Sequence, residues 1–343
     1  MTSCSFQSSE KDSLFREEKF KLTDFPEKKL LVSKTYIFVE ILDPHQVMLK
    51  RDKLIVSSLT SDIGLFVIDN QDMSLKKSLG KIGFGPDEIA DVWQMDRGIN
   101  PDTFWVYSFS GKEFSQFPLS DNSSKPLDKI RLKEESFQSL TMNWLPQSEI
   151  IAYQNLGASR FAVFGTTLTR VQSIGFWLTG EDSALSMEAS FVLSRLNQGV
   201  DGVSPKGKKI VLAQVKTDSF EIIDLNSNKI IKVIGPLNQE FEYSLEADGS
   251  SIFPYIKPDL KNGYNHLEVG EDKIFLLFIG RSDEEIVKTG LFSTDIFVFD
   301  FEGKALIHYS LDRSVKSISV DERSNKIYAV TFEKEPGIAV FDY

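Results

Sequence analysis

Cysteine is nearly missing from this chain. Cys4 is the only one in 343 residues, which excludes an internal disulfide framework and a thiolate-built zinc site. Histidine is scarce as well: His45, His266 and His308 are scattered, with no HExxH and no pair at metal-ligand spacing. Basic charge is in deficit, with 39 Lys and Arg against 50 Asp and Glu and a formal net charge of −11. Binding a phosphate backbone takes basic patches, so no nucleic-acid partner is expected. No apolar run approaches the roughly 18 residues of a spanning helix; the longest, residues 274–279, reads as a strand. Persuasive helical periodicity is also lacking, the best stretch being residues 184–196.

Catalytic motifs are missing in the same way. Residues 202–208 have the GxxxxGK spacing of a phosphate loop, but Lys209 stands where Ser or Thr should hold magnesium and a strand follows instead of a helix. Asp224, Asn226 and Asn228 imitate the start of a calcium loop, yet Lys229 replaces its glycine and Gly235 its bidentate Glu. Near-copies of GxSxG at 157–161 and 280–284 lack the closing glycine. No catalytic residue, resident metal or cofactor is therefore expected.

What the chain does have is strands. Hydrophobic residues make up 41% of it, with 27 Phe, and runs such as TFWVYSF (103–109), KIVLAQV (209–215) and KIYAVTF (326–332) are β-branched or aromatic and bounded by turn residues. The stretch FEIIDLNSNKIIKVIG (220–235) spells a hairpin, because Asn and Ser bond nearby backbone and Asn tolerates positive φ. Its first strand recurs. LFVID ends at Asp69, FSQFP at Pro118, FAVFG at Gly165, FEIID at Asp224, IFVFD at Asp300 and IAVFD at Asp342, in steps of 49, 47, 59, 76 and 42 residues. A period near 40 to 50 residues belongs to propeller blades. The expected fold is all-β: a six-bladed β-propeller of four-stranded antiparallel blades over residues 14–343. The last copy lacks an outer strand, so an N-terminal strand is expected to complete it and close the ring, hiding both edges.

The N-terminus carries an address. Small residues directly precede Cys4, as in a bacterial lipobox, and Met1 occupies the position where that motif usually has Leu. No apolar stretch comes before it, so either a signal segment has been removed or the start has been placed too late, and the sequence leaves both open. Lipid attachment at Cys4 is expected, with the serine-rich residues up to 13 as a tether to the folded body.

Gly80-Lys81-Ile82-Gly83-Phe84-Gly85-Pro86-Asp87-Glu88 is a GxxGxGPxE stretch that resembles the signature of TolB-like six-bladed propellers. IFLLFIGR (274–281), DIFVFDFEGKALIHYSLD (295–312) and ISVDERSNKIYAV (318–330) resemble the same family. The resemblance implies a bacterial cell-envelope lipoprotein in a binding or scaffolding role, periplasmic or surface-facing at the outer membrane.

In propellers the links between blades and the middle hairpins open on one face. A ligand-binding rim is expected there, in the long loops around Phe84, Asp87, Glu88, Trp177, Asp182, Tyr243, Phe253, Tyr255, Tyr264 and Arg281. Aromatic rings mixed with acids suit an envelope protein, a peptide or a glycan. The alternative is a propeller enzyme, of lactonase or lyase type, with a metal on the central axis built from scattered side chains that leave no linear motif.

Overall fold

The computed structural model describes residues 14–119, 123–155, 159–176, 192, 194–239, 243–248 and 251–343. Cys4 and the expected tether lie outside the described residues, as does most of the 184–196 stretch. Three strands come first: β1 (Phe15–Lys19), β2 (Glu27–Leu31) and β3 (Ser33–Tyr36). Three four-stranded antiparallel meanders follow. They are β4 to β7 (Pro44–Lys50, Lys53–Ser58, Ile63–Asp69, Leu75–Lys81), β8 to β11 (Gln94–Asp96, Thr103–Ser108, Glu113–Pro118, Asp128–Arg131) and β12 to β15 (Asn143–Leu145, Glu149–Tyr153, Ser159–Phe164, Arg170–Phe176). The fourth is β16 to β19 (Gly199–Val203, Lys209–Gln214, Ser219–Asp224, Ile230–Ile234), with β1 added in parallel to its outer strand.

A short hairpin, β20 (Tyr243–Asp248) and β21 (Ser251–Ile256), fills the link to the fifth unit. There β22 (Tyr264–Val269), β23 (Ile274–Phe278) and β24 (Ser293–Phe299) lead into β25 (Ala305–Asp321). That strand serves two units: its first half pairs with β24, and its second half opens the sixth unit by pairing with β26 (Lys326–Thr331). β27 (Ile338–Asp342) comes next, and β3 pairs antiparallel with it, Ile338 opposite Tyr36. The protein is thus an all-β propeller of antiparallel four-stranded blades.

Period-two alternation explains the packing. In β9, Phe104 and Val106 join the core shared with the first unit, while Trp105 and Tyr107 join the core shared with the third. Both faces are buried, so the run reads as continuously apolar. A further core lies between each successive pair of units, and another joins the sixth to the first through Tyr328, Val330 and Ile338 against Val47, Leu49 and Leu54.

The N-terminal segment lies along the outside of the last three units. β1 adds to the fourth, β2 runs parallel to β25 on the fifth, and β3 is the fourth strand of the sixth. Between β1 and β2, Phe20 and Phe25 insert into the core of the fourth and fifth units, edge-on to Phe299 at ring distances of 5.1 and 5.5 Å.

Turn chemistry follows the sequence. The Asp224 carboxylate accepts from the Asn226 and Ser227 amides, Asp69 from Gln71, and Asp300 from Glu302 and Lys304. Asn228 takes φ 58°. A departure from the sequence reading lies between β23 and β24, where a capped helix, α1 (Asp283–Thr289), stands in what reads as an open loop. Ser282 and Glu285 form a reciprocal capping box and Gly290 ends the helix at φ 67°.

Candidate functional site

Several first strands carry polar residues where their neighbours in the blade are apolar, and this decides where the site lies. β8 is Gln-Met-Asp, β12 Asn-Trp-Leu, and β16 Gly-Val-Asp-Gly-Val. Alternation that sends one set of side chains into the inter-blade cores leaves polar groups facing the middle of the molecule. First strands of five units line a cavity of about 640 Å3. Ser319 of β25 stands on the sixth side, bonded to Glu268 and Arg97. The volume falls within the roughly 300–1,000 Å3 of small-molecule sites.

One wall is a polar relay across three units. The Met142 amide donates to Gln94 Oε1 at 2.8 Å, Gln94 Nε2 to Asn143 Oδ1 at 3.1 Å, and Asn143 Nδ2 to Asp201 Oδ2 at 2.6 Å. Asp96 accepts from the Gly98 amide at 2.6 Å. Burial pushes both carboxyls up to about 6, with the Asp96 charge adding to the effect on Asp201.

On the opposite side, burial pushes His266 down to about 4 and lowers His45, which also faces Lys316. Both imidazoles are therefore neutral at pH 7. Arg97 of the second unit spans to the fifth, where its guanidinium makes a two-pronged pair with Glu268 at 2.8 and 2.7 Å. Its Nε donates to the Leu49 carbonyl at 2.9 Å. Lys50, pushed down to about 8 by burial, donates to the Arg97 and Asn100 carbonyls. Trp93, 46% exposed, also lines the cavity, with Phe109 beside it at 5.3 Å and the Lys112 ammonium over Phe109 at 3.7 Å.

The expected rim fares differently, and none of its described residues lines this cavity. Phe84 is 86% exposed and Tyr255 is exposed. Asp87 pairs with Lys125. Glu88 is a turn-former: its carboxylate accepts from the Gly85 amide at 2.9 Å and from Lys81 at 2.6 Å, and a side chain on Gly83 would collide with it. Gly83 and Gly85 of the signature stretch thus make room for Glu88.

Tyr264 is corrected. It is fully buried at the start of β22 between Phe220 and Phe278, with its hydroxyl donated to the Gly235 carbonyl at 3.0 Å. Arg281 turns inward to the Ile279 and Phe292 carbonyls and shapes the loop around α1. Trp177 and Asp182 lie outside the described residues, as do the side chains of Tyr243 and Phe253.

The sequence reading missed Gln94, Asp96, Arg97, Asn143, Asp201, His266 and Glu268. The available signal was a polar residue at alternate positions of the strand opening each repeat. Among the described residues no three His, Cys, Asp or Glu side chains converge to hold a metal ion, and no helix is long and apolar enough to cross a membrane.

Comparisons place the fold. A protein of Bacteroides fragilis NCTC 9343 described, by inference, as exported aligns over 95% of this chain and 98% of its own at TM-score 0.58 and 10% identity. A member of the DUF4221 family from Bacteroides vulgatus ATCC 8482 aligns over 91% and 97% at TM-score 0.61 and 9% identity. The β-propeller domain of Cps50 (Swd1) from Myceliophteria thermophila aligns over 91% and 99% at TM-score 0.51 and 9% identity. At such identities these likenesses concern the fold alone. No curated protein matches the sequence. The model of the TolB-like 6-blade propeller-like family matches residues 19–323, and the chain belongs to that family.

Proposed function

We propose that this protein is a non-catalytic binding module of the bacterial cell envelope, a six-bladed ring sealed by β3, that takes its ligand at the central cavity. The ligand is a peptide, a glycan or a segment of an envelope protein. The observation that carries this reading is the cavity itself. Side chains from separate units converge there on a volume fit for a small ligand, and Trp93 offers an exposed ring at its edge. The pairing of β3 with β27, and the core shared by the sixth and first units, support the sealed ring.

A thermal-shift screen of peptides and oligosaccharides on the wild type and Trp93→Ala tests the reading. A true ligand raises the melting temperature of the wild type and loses most of that effect in the variant. Ligands that stabilise both equally place binding elsewhere.

Attachment to a membrane through a lipid at Cys4 belongs to the same reading. The fold likeness to a Bacteroides protein described as exported is in keeping with it. Full-length gene product made in a Gram-negative host should partition into detergent, and Cys4→Ala should release it; equal behaviour of the two would end the anchor proposal.

An enzyme of lactonase or lyase type is the second reading. In its favour stand Asp96 and Asp201, poised near pH 6 in one cavity with neutral His266, which are protonation states that proton transfer uses. Turnover of a chromogenic lactone that Asp201→Asn abolishes would favour it over binding.

A further inference from the structure

Resting on the cavity as the binding seat, we propose that the ligand enters with a primary ammonium group, held against the wall formed by Asp96 and Asp201, while its body leaves past Trp93.

Charge accounting inside the cavity leads there. Arg97 is committed to Glu268, the Leu49 carbonyl and Ser319. Lys50 is committed to two backbone carbonyls, and Lys316 to Asp43. No ion pair joins a cation of the described residues to Asp96 or Asp201. His45 and His266 are held neutral by burial and supply no positive charge at pH 7. No cation of the described residues faces Asp201, and the two that face Asp96, Arg97 and Lys50, are bonded to other groups, an arrangement that costs free energy until a further cation arrives. The Thr141 hydroxyl stands against the Asp201 carboxylate on this wall, and the buried Trp144 indole N–H beside them has no hydrogen-bond partner.

Orientation of the amides separates an ammonium from a divalent metal. Because the Met142 amide donates to Gln94 Oε1, the Gln94 nitrogen faces Asn143 Oδ1, and the Asn143 nitrogen faces Asp201. Both amide oxygens are therefore spent within the relay. A hard divalent ion needs about six oxygen ligands, and this wall has two carboxylates to give. An ammonium needs only acceptors for three directed N–H donors, and two carboxylates meet that need. Trp93 and Trp144 offer aromatic surface to the carbon skeleton that follows. The charged or titratable groups facing the two carboxyls from neighbouring elements are Lys50, Arg97 and Tyr153, with His45 and His266 across the cavity.

The chemistry fits a small amine and the amino terminus of a peptide alike, so the probes separate them. Calorimetric titrations of the full chain use n-butylamine, trialanine, N-acetyl-trialanine and maltotriose at about pH 7.5. Trialanine should bind, and N-acetylation should weaken it by at least about tenfold. Binding of butylamine as well assigns the site to the ammonium headgroup; binding of trialanine alone assigns it to a peptide amino terminus. Asp96→Asn and Asp201→Asn, checked for native circular dichroism, should each weaken trialanine by about tenfold. Affinity should also fall between about pH 7.5 and pH 5 as the carboxyls take up protons. Equal binding of the acetylated peptide, or binding of maltotriose without the amines, overturns the ammonium proposal while leaving the cavity as a seat. If no amine binds up to about 10 mM, the proposal also fails, and a Trp93-dependent ligand in the wider screen would still support the binding reading.

Discussion

At the scale of single residues, this protein gives up stability where it keeps polar groups in its centre. Asp201 carries a carboxyl raised to about 6 by burial. A carboxyl whose folded value exceeds its unfolded value binds more protons when folded, so its contribution to stability is lost as pH rises from about 4 to about 6. Asp201→Asn keeps an oxygen to accept from Asn143 and removes the charge. It should raise stability at pH 7 by about 1–2 kcal/mol, after allowance for solvent in the cavity, and leave stability at about pH 4 nearly unchanged. Urea unfolding at the two pH values checks this, and equal effects at both would show that the gain is not electrostatic. Arg160 and Glu221 are the opposite case, an ion pair between the third and fourth units with side chains 1% and 0% exposed. Replacing Glu221 with Leu takes the carboxylate away from the buried Arg160 guanidinium and should cost about 3–5 kcal/mol by urea unfolding.

Elements show why the N-terminal segment belongs to the body. β1 and β2 add parallel strands to the outside of the fourth and fifth units, and β3 supplies the fourth strand of the sixth. Phe25 sits between them, 4% exposed among Phe20, Phe297 and Phe299. Phe25→Ala should cost about 3–5 kcal/mol, and hydrogen exchange should rise first in β1 and β2. Protection lost uniformly instead would mean that the strap and the blades unfold as one. α1 is a smaller unit of the same kind. Its helix signal is short, SDEE followed by Gly290, and Ser282→Ala should weaken the first turn by about 1 kcal/mol, seen as faster exchange at Glu285.

For the whole molecule, the bridge from Arg97 to Glu268 matters most, because it couples two units that are not neighbours in the chain order. A double-mutant cycle of Arg97→Met and Glu268→Gln should show coupling of roughly 1–2 kcal/mol. A value near zero would make the pair incidental to holding the second and fifth units together. The cavity exists only because several weakly apolar first strands meet.

The amino-acid sequence by itself determined the blade. Strand periodicity, Asp at strand ends, the positive-φ Asn228 and the glycines around Glu88 act over a few residues, and local physics is written locally. It also brought Trp105 to the core through plain alternation. Tertiary structure alone decided the site. Asp96 and Asp201 are 105 residues apart, and Arg97 and Glu268 171; nothing in their spacing brings them together. The same holds for His45 and His266, scattered in sequence and facing one cavity in space. Tyr264 shows the converse: an aromatic residue beside a long loop reads as surface, and only packing against Phe220 and Phe278 reveals it as core. Blades form by short-range pairing, whereas the charge left uncompensated at the centre depends on which side chains several distant strands deliver to one place.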